Sequence, residues 1–179
     1  MWALVENDSV VKVYTRPTAV NIGDNQYPSN IMQVWSASEL EAIGIYEVVV
    51  DNSNLKDKEY YINTNQSFDF ANGAVTASYG TATAKAIADV TDDDGNVTKG
   101  LKSIKKDAIN AKAGGILQST DWMVIREADD GTAVPSNIST WRASVRTKAN
   151  EMCTAIDNAA DVDALAALYV YGEDGTRPL

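Results

Sequence analysis

Hydrophobic residues in this chain change their spacing part-way along, and that change limits the folds open to it. Through about residue 80, apolar side chains alternate in short runs broken by turn residues, the pattern of half-buried strands. From Gly100 they recur every three or four positions, the pattern of helices packed along one face. Between the two lies a stretch, 81–99, that is first Ala/Thr-rich and then acidic, with Asp92-Asp93-Asp94-Gly95-Asn96 near its centre. The chain therefore reads as α+β. A β-rich module over 1–80 forms a small antiparallel sheet with one short helix. A linker or polar hairpin tip occupies 81–99, a helical module 100–171 and a flexible tail 172–179.

Local signals fill in the first module. Trp2 and Leu4 alternate, Asn7-Asp8 supplies a turn, and Val11 and Val13 alternate after it. Arg16-Pro17 ends the second strand, because proline cannot donate to a ladder. A polar loop is expected from Asn21 to Asn30. Ser36-Ala37-Ser38-Glu39 fits a capping box, so a short helix runs to about Ile43 and stops at Gly44. Ile45 to Asp51 is β-branched and reads as a buried strand; Tyr60 to Ile62 opens another. Asn72-Gly73 turns a hairpin whose arms carry Phe68 and Phe70 on one side and Val75, Ala77 and Tyr79 on the other.

In the second module, Leu101, Ile104, Ala108 and Ala111 share a helical face, and Gly114-Gly115 should weaken or end that helix. Thr120 then suits the N-cap of a short helix at Trp122, although Trp122-Met123-Val124-Ile125 fits an extended segment equally well, and a loop follows from Ala128 to Pro135. Ser136 or Asn137 caps the next helix. Its Ile138, Trp141, Val145, Ala149, Met152 and Ile156 follow steps of 3, 4, 4, 3 and 4. This heptad-like seam is either the buried face of a helical bundle or a surface for another copy of the chain. Asp161 or Asp163 caps a last helix carrying Val162, Leu165 and Leu168.

Composition removes several kinds of chemistry. The 179 residues include no histidine and one cysteine, Cys153, so neither a histidine relay nor a Cys/His zinc site can be built within the chain. Calcium fits the Asp92–Asn96 cluster poorly: counting from Gly95, the first and twelfth loop positions fall on Val90 and Leu101. No cofactor or metal is expected. With 25 acidic and 15 basic residues the net charge is −10, which disfavours a nucleic-acid partner. No apolar run is long enough for a membrane span, and the N-terminus has no signal-peptide pattern.

The chemistry-bearing residues gather in one stretch. Trp122, Arg126, Trp141, Arg142 and Arg146 lie within about thirty residues. Aromatic and arginine side chains are the usual anchors of protein interfaces; Trp35 joins them as a candidate contact, and Trp35 and Trp141 are the two expected to be most buried. The arginines could clamp a partner's carboxylate, or could pair internally with Asp121 or Glu127, stitching loop to helix. Carboxylates at Glu39, Glu41, Glu127, Asp129 and Asp130 would serve a glycan hydrolase only if two of them faced each other across a cleft; otherwise they are caps and surface charges.

Two blocks resemble a known family. Tyr27-Pro28-Ser29-Asn30-Ile31-Met32-Gln33-Val34-Trp35-Ser36, with Glu39-Leu40 and Ile43-Gly44-Ile45-Tyr46, resembles an N-terminal module of proteins encoded near the tail-fibre genes of tailed bacteriophages. Leu117-x-x-Thr120-Asp121-Trp122, followed by Trp141-Arg142-x-x-Val145-Arg146, resembles a signature of phage tail-fibre assembly proteins and small tail-associated proteins. Here Trp141 stands where that signature has tyrosine, and Val124-Ile125-Arg126 replaces the usual Pro-Asp step. The resemblance implies a non-enzymatic protein that helps fibre subunits fold, trimerise or attach. It implies fibre or other tail proteins as partners, with a homo-oligomer also open, in the host cytoplasm during assembly. A permanent virion subunit in the baseplate, fibre adaptor or tail tip is the alternative.

Overall fold

The computed structural model describes residues 1–170; the tail expected at 172–179 and the end of the expected helical module lie outside the described residues. The fold is α+β, strands first and long helices after. The chain divides into two units, Met1–Thr83 and Ala84–Leu179.

In the first unit, β1 (Trp2–Glu6) and β2 (Ser9–Tyr14) form the expected hairpin, and Asn7 and Asp8 both take positive φ (51° and 59°) at its turn. The stretch read as a loop holds a second small hairpin, β3 (Val20–Ile22) with β4 (Asn25–Tyr27). A helical turn not foreseen, α1 (Ile31–Val34), precedes α2 (Ala37–Glu41). The capping box forms in both directions: the Glu39 N–H donates to Ser36 Oγ at 3.4 Å, and the Ser36 N–H donates to the Glu39 carboxylate at 2.8 Å. Gly44 then takes φ +82°, where a Cβ would stand 2.9 Å from the Val5 carbonyl.

Strands β5 (Ile45–Asp51), β6 (Tyr61–Ile62), β7 (Gln66–Ala71), β8 (Ala74–Tyr79) and β9 (Thr83–Ala84) complete this part of the chain. The main sheet has the order β2-β1-β5-β8-β7, and β6 pairs with β9. The sheet is mixed, not wholly antiparallel as expected: β5 and β8 run parallel, with Val48 opposite Val75 and Val50 opposite Ala77. The Asn72-Gly73 hairpin forms as read, with Phe70 opposite Val75 and Phe68 opposite Ala77. It docks by its second arm, so β8 must follow the direction of β5.

Both faces of the sheet are used. One core holds Leu4, Tyr14, Val20, Ile31, Met32, Leu40 and Ile45, with Trp2 and Trp35 partly buried against it. The other holds Ala3, Val48, Val75 and Ala77, packed by Tyr46, Phe68 and Phe70, and no helix contributes to it. The edge strands β2 and β7 approach within 8 Å between Cα atoms, so the sheet curls around this second core, and its small residues suit the narrow interior. The buried-strand reading of Ile45–Asp51 holds for Ile45 and Val48, whereas Val49 and Val50 are 60% and 44% exposed.

The second unit opens with β10 (Val90–Thr91) and β11 (Val97–Thr98), a ribbon tipped by Asp92–Asn96. Asp92 accepts from the backbone of Asp94 and Asn96 at 3.0 and 2.8 Å, so this carboxylate closes its own turn. Three helices follow: α3 (Leu101–Asp130), α4 (Ser136–Asn158) and α5 (Val162–Ala167). The segment expected as a linker is bonded to the start of α3. Leu101 N–H donates to Ala86 O at 2.9 Å and Lys102 N–H to Ile87 O at 3.1 Å. Asp161 caps α5 by accepting from Ala164 N–H at 2.8 Å. Helix α4 starts at Ser136 with Pro135 as its N-cap, one residue earlier than expected. Among the described residues no helix is long and apolar enough to cross a membrane.

The largest correction concerns α3. It runs unbroken through Gly114-Gly115 and through Trp122 for 30 residues, because the glycine cost of about 1 kcal/mol each is outweighed by continuous backbone bonding and packing along α4. Thr120 is mid-helix, and its hydroxyl donates back to Leu117 O at 3.0 Å. Of the face read from Leu101, Ile104, Ala108 and Ala111, only Leu101 is buried; Ile104 is 50% exposed, and the other buried position is Ile109. A Cβ added at Gly114 or Gly115 would meet nothing within 4 Å. The double substitution Gly114→Ala/Gly115→Ala is therefore expected to stabilise the unit by about 1–2 kcal/mol, seen as a higher urea midpoint. A lower midpoint would mean that the glycines serve some other purpose.

Five carboxylates are held below the usual range, chiefly by hydrogen bonds that favour the ionised form. The leading donors are the Ser36 hydroxyl for Glu39, the Ser53 N–H for Asp51 and the Gly100 N–H for Asp89. For Asp92 the leading donor is the Asn96 side chain, and for Asp130 that of Thr132. Each lowered value makes the group stabilising above its unfolded pKa of about 4 and removes that contribution as pH falls through the folded value. The urea midpoint is thus expected to stay level between about pH 5 and 8 and to drop below about pH 4. A midpoint unchanged from pH 6 to pH 3 would refute this.

Candidate functional site

Helices α3 and α4 make an antiparallel pair, joined by a short connection that begins at Gly131, in the left-handed conformation at φ +75°. Cross-helix contacts progress in opposite directions along the two. Lys106 Nζ reaches Asp157 Oδ1 at 2.7 Å, Cys153 Sγ lies 3.9 Å from Asn110 Oδ1, and Arg142 Nη2 reaches Asp121 Oδ1 at 2.7 Å. The pair is thin. On α3 only Leu101 and Ile109 are buried, and on α4 Arg142, Ala149 and Ile156.

Arg142 is the centre of one end. It is only 6% exposed, and its guanidinium donates to Leu117 O at 2.9 Å, Thr120 Oγ1 at 2.5 Å and Asp121 Oδ1 at 2.7 Å. A buried charge is tolerated when its donors are met and a counter-charge is present. Asp121 is about half exposed, so the pair keeps one foot in solvent. Of the two uses open to this arginine, the internal pair with Asp121 is the one formed. Arg142 is thereby removed from the candidate contacts and becomes the latch that fixes α4 against α3.

The remaining candidates divide by place. Trp122 points outward at 53% exposure, with the Arg126 guanidinium 5.1 Å from its ring centroid, a cation–π distance. Arg126 Nε is buried without a hydrogen-bond partner. Arg146 is exposed and lines a small polar cavity of about 140 Å³ together with Val124, Glu127, Val134, Ser139 and Arg142. Trp141, expected to be buried, is 39% exposed, because α3 covers only one side of the seam. Trp35 lies in the first unit, half-buried, its ring edge-on to Tyr27 at 5.8 Å.

Three of the five carboxylates weighed as acid/base groups are engaged locally: Glu39 in the capping box, Glu127 accepting from Val134 N–H at 3.3 Å, and Asp130 accepting from Thr132 N–H at 2.8 Å. Among the described residues, no three His, Cys, Asp or Glu side chains are placed to hold a metal ion.

No family model, curated protein or solved structure matches the chain.

One feature of the unit escaped the sequence reading. Ile109, Ala113, Ile116, Val145, Ala149 and Met152 line an apolar groove of about 230 Å³ between α3 and α4, with Lys112 and Lys148 among its walls. The α4 half was visible as the heptad-like seam. The α3 half, at 109, 113 and 116, continues across the glycine pair, and reading those glycines as a stop hid it.

Proposed function

We propose that this chain is a non-enzymatic tail-associated protein of a tailed bacteriophage, acting through protein–protein contact as an assembly factor for a tail fibre. The observation that carries the contact role is the apolar surface left on the helical pair: Ile125 at 68%, Trp122 at 53% and Trp141 at 39% exposed. Exposed tryptophan with arginine over its ring is an anchor suited to a partner surface. The tail-fibre assignment rests on the Leu117–Trp122 and Trp141–Arg146 blocks. Within those blocks the roles separate: Leu117, Thr120, Asp121 and Arg142 hold each other, while Trp122, Trp141 and Arg146, with Arg126 just beyond the first block, are left to meet a partner.

Phage lacking the gene is expected to release particles with missing or misassembled fibres. The double substitution Trp122→Ala/Trp141→Ala is expected to reproduce that defect with helix content unchanged by circular dichroism. Mass spectrometry of purified particles separates the two modes: absence from particles fits a transient assembly factor, and stoichiometric presence replaces that reading with a resident subunit. Normal fibres on the deletion phage would end the tail-fibre reading.

A further inference from the structure

The groove between α3 and α4 carries more information than exposed tryptophan does, because its shape and its charge are both defined. Resting on the contact role proposed above, we infer that it binds an amphipathic helix of a partner protein, one that presents an apolar stripe flanked by acidic residues.

The apolar part follows from the lining. Ile109, Ala113 and Ile116 on one wall and Val145, Ala149 and Met152 on the other run along about two helical turns, roughly 10 Å. Ala113 and Ala149 keep the floor low between the larger side chains, which leaves room for leucine-sized groups spaced three and four apart. That is the geometry of a helix laid into a groove between two others. A third helix would also cover the side of the α4 seam that α3 leaves open, where Val145 and Met152 are only partly buried.

The charge selects the occupant. Two of the eight lining residues are charged and both are lysines, Lys112 and Lys148, in a chain of net charge −10. Lys148 has a weak partner in Glu151 at 3.6 Å, with both side chains largely exposed, a contact worth little. A second copy of this chain is the poorer occupant. A two-fold contact centred on the groove brings the same residues from each copy together, so Lys112 and Lys148 would crowd their own counterparts in the other chain. An acidic flank instead meets them at contact distance, inside the screening length of about 8–10 Å over which the remote negative charge of the chain is damped.

The test uses the full-length chain and two fluorescein-labelled helical peptides of about 18 residues with the same leucine stripe, one flanked by glutamate and the other by lysine. Anisotropy titrations at low salt are expected to show the glutamate peptide binding at least about ten-fold more tightly. Lys112→Glu/Lys148→Glu, a change of surface charge that leaves the apolar wall intact, is expected to reverse the preference. Val145→Asp is expected to abolish binding of both peptides. Equal binding of the two peptides, binding of neither, or a concentration-dependent dimer in sedimentation that Val145→Asp dissolves would each overturn the inference. The contact role is judged separately, by recovery of fibre proteins from infected cells with the Lys112→Glu/Lys148→Glu chain. Undiminished recovery sinks the groove inference alone, whereas normal fibres on the deletion phage sink the tail role and leave peptide binding as it is.

Discussion

Replacing Arg142 with alanine is expected to destabilise the helical unit by about 2–3 kcal/mol. The guanidinium serves three acceptors on α3, the Leu117 carbonyl, Thr120 Oγ1 and Asp121 Oδ1, all in a part-buried contact. Losing hydrogen bonds to a charged group costs about 1.5–3 kcal/mol. The loss stops short of the largest values for broken buried pairs because Asp121 is about half exposed and water can take over its charge. Arg142→Lys should recover little, since one ammonium cannot reproduce a planar fork reaching a carbonyl, a hydroxyl and a carboxylate at once. Asp121→Asn keeps an acceptor oxygen and should cost less, about 1 kcal/mol. Urea titrations followed by circular dichroism at 222 nm measure this unit, since α3 and α4 supply most of the described helix. An Arg142→Ala midpoint within error of the parent would show that the latch carries no stability. The same substitution bears on function: with the latch gone, Trp122 and Trp141 lose their fixed relation, so partner binding should weaken although neither tryptophan has changed.

What was legible in the sequence was whatever a few adjacent residues decide. The turns at Asn7-Asp8 and Asn72-Gly73 and the capping box at Ser36–Glu39 are local conformational facts, and they stand where the residues place them. What was not legible depended on distant neighbours. Whether the Asn72-Gly73 hairpin docks by β7 or β8 is settled by how Val75 and Ala77 fit against Val48, and no spacing within the hairpin announces it; hence the parallel pair was missed. The glycine pair at 114–115 weakens a helix by an amount known in advance, but the packing along α4 that outweighs it comes from residues more than twenty positions on. The candidate site divides in the same way. The choice of partners for the arginines was readable as Asp121 or Glu127, and the answer, Arg142 with Asp121, needed the antiparallel register of α3 and α4. The burial expected for Trp141 failed because a seam tells which side chains share a face and leaves open how much of that face a single thin partner helix covers.

Gly100→Ser looks from sequence like an improvement, because serine is a better N-cap than glycine for a helix such as α3; the structure requires the opposite. Gly100 is the N-cap residue, and its φ of −79° and ψ of 173° are open to any amino acid, so backbone conformation is no obstacle. Space is. A Cβ there would stand 2.2 Å from Ala88 O, 2.3 Å from Ala88 C and 2.8 Å from Ile87 O. These are backbone atoms, which no side-chain rotation can move aside. To admit even alanine, residues 86–89 must back away from the helix. That segment supplies the partners for the first amides of α3: Ala86 O for Leu101, Ile87 O for Lys102 and the Asp89 carboxylate for Gly100 at 2.8 Å. Overpacking by one carbon costs about 1–3 kcal/mol, and stranding the amides of a helix start adds about 1 kcal/mol or more. Gly100→Ala and Gly100→Ser are both expected to lose about 3 kcal/mol, with serine no better than alanine because its hydroxyl arrives with the same clash. Thermal unfolding followed by circular dichroism at 222 nm, with Gly114→Ala as the glycine replacement of opposite sign, decides the point. If Gly100→Ser raised the midpoint, the 86–89 segment would be a free linker after all, and the helix start would be capped by the new hydroxyl in place of that segment.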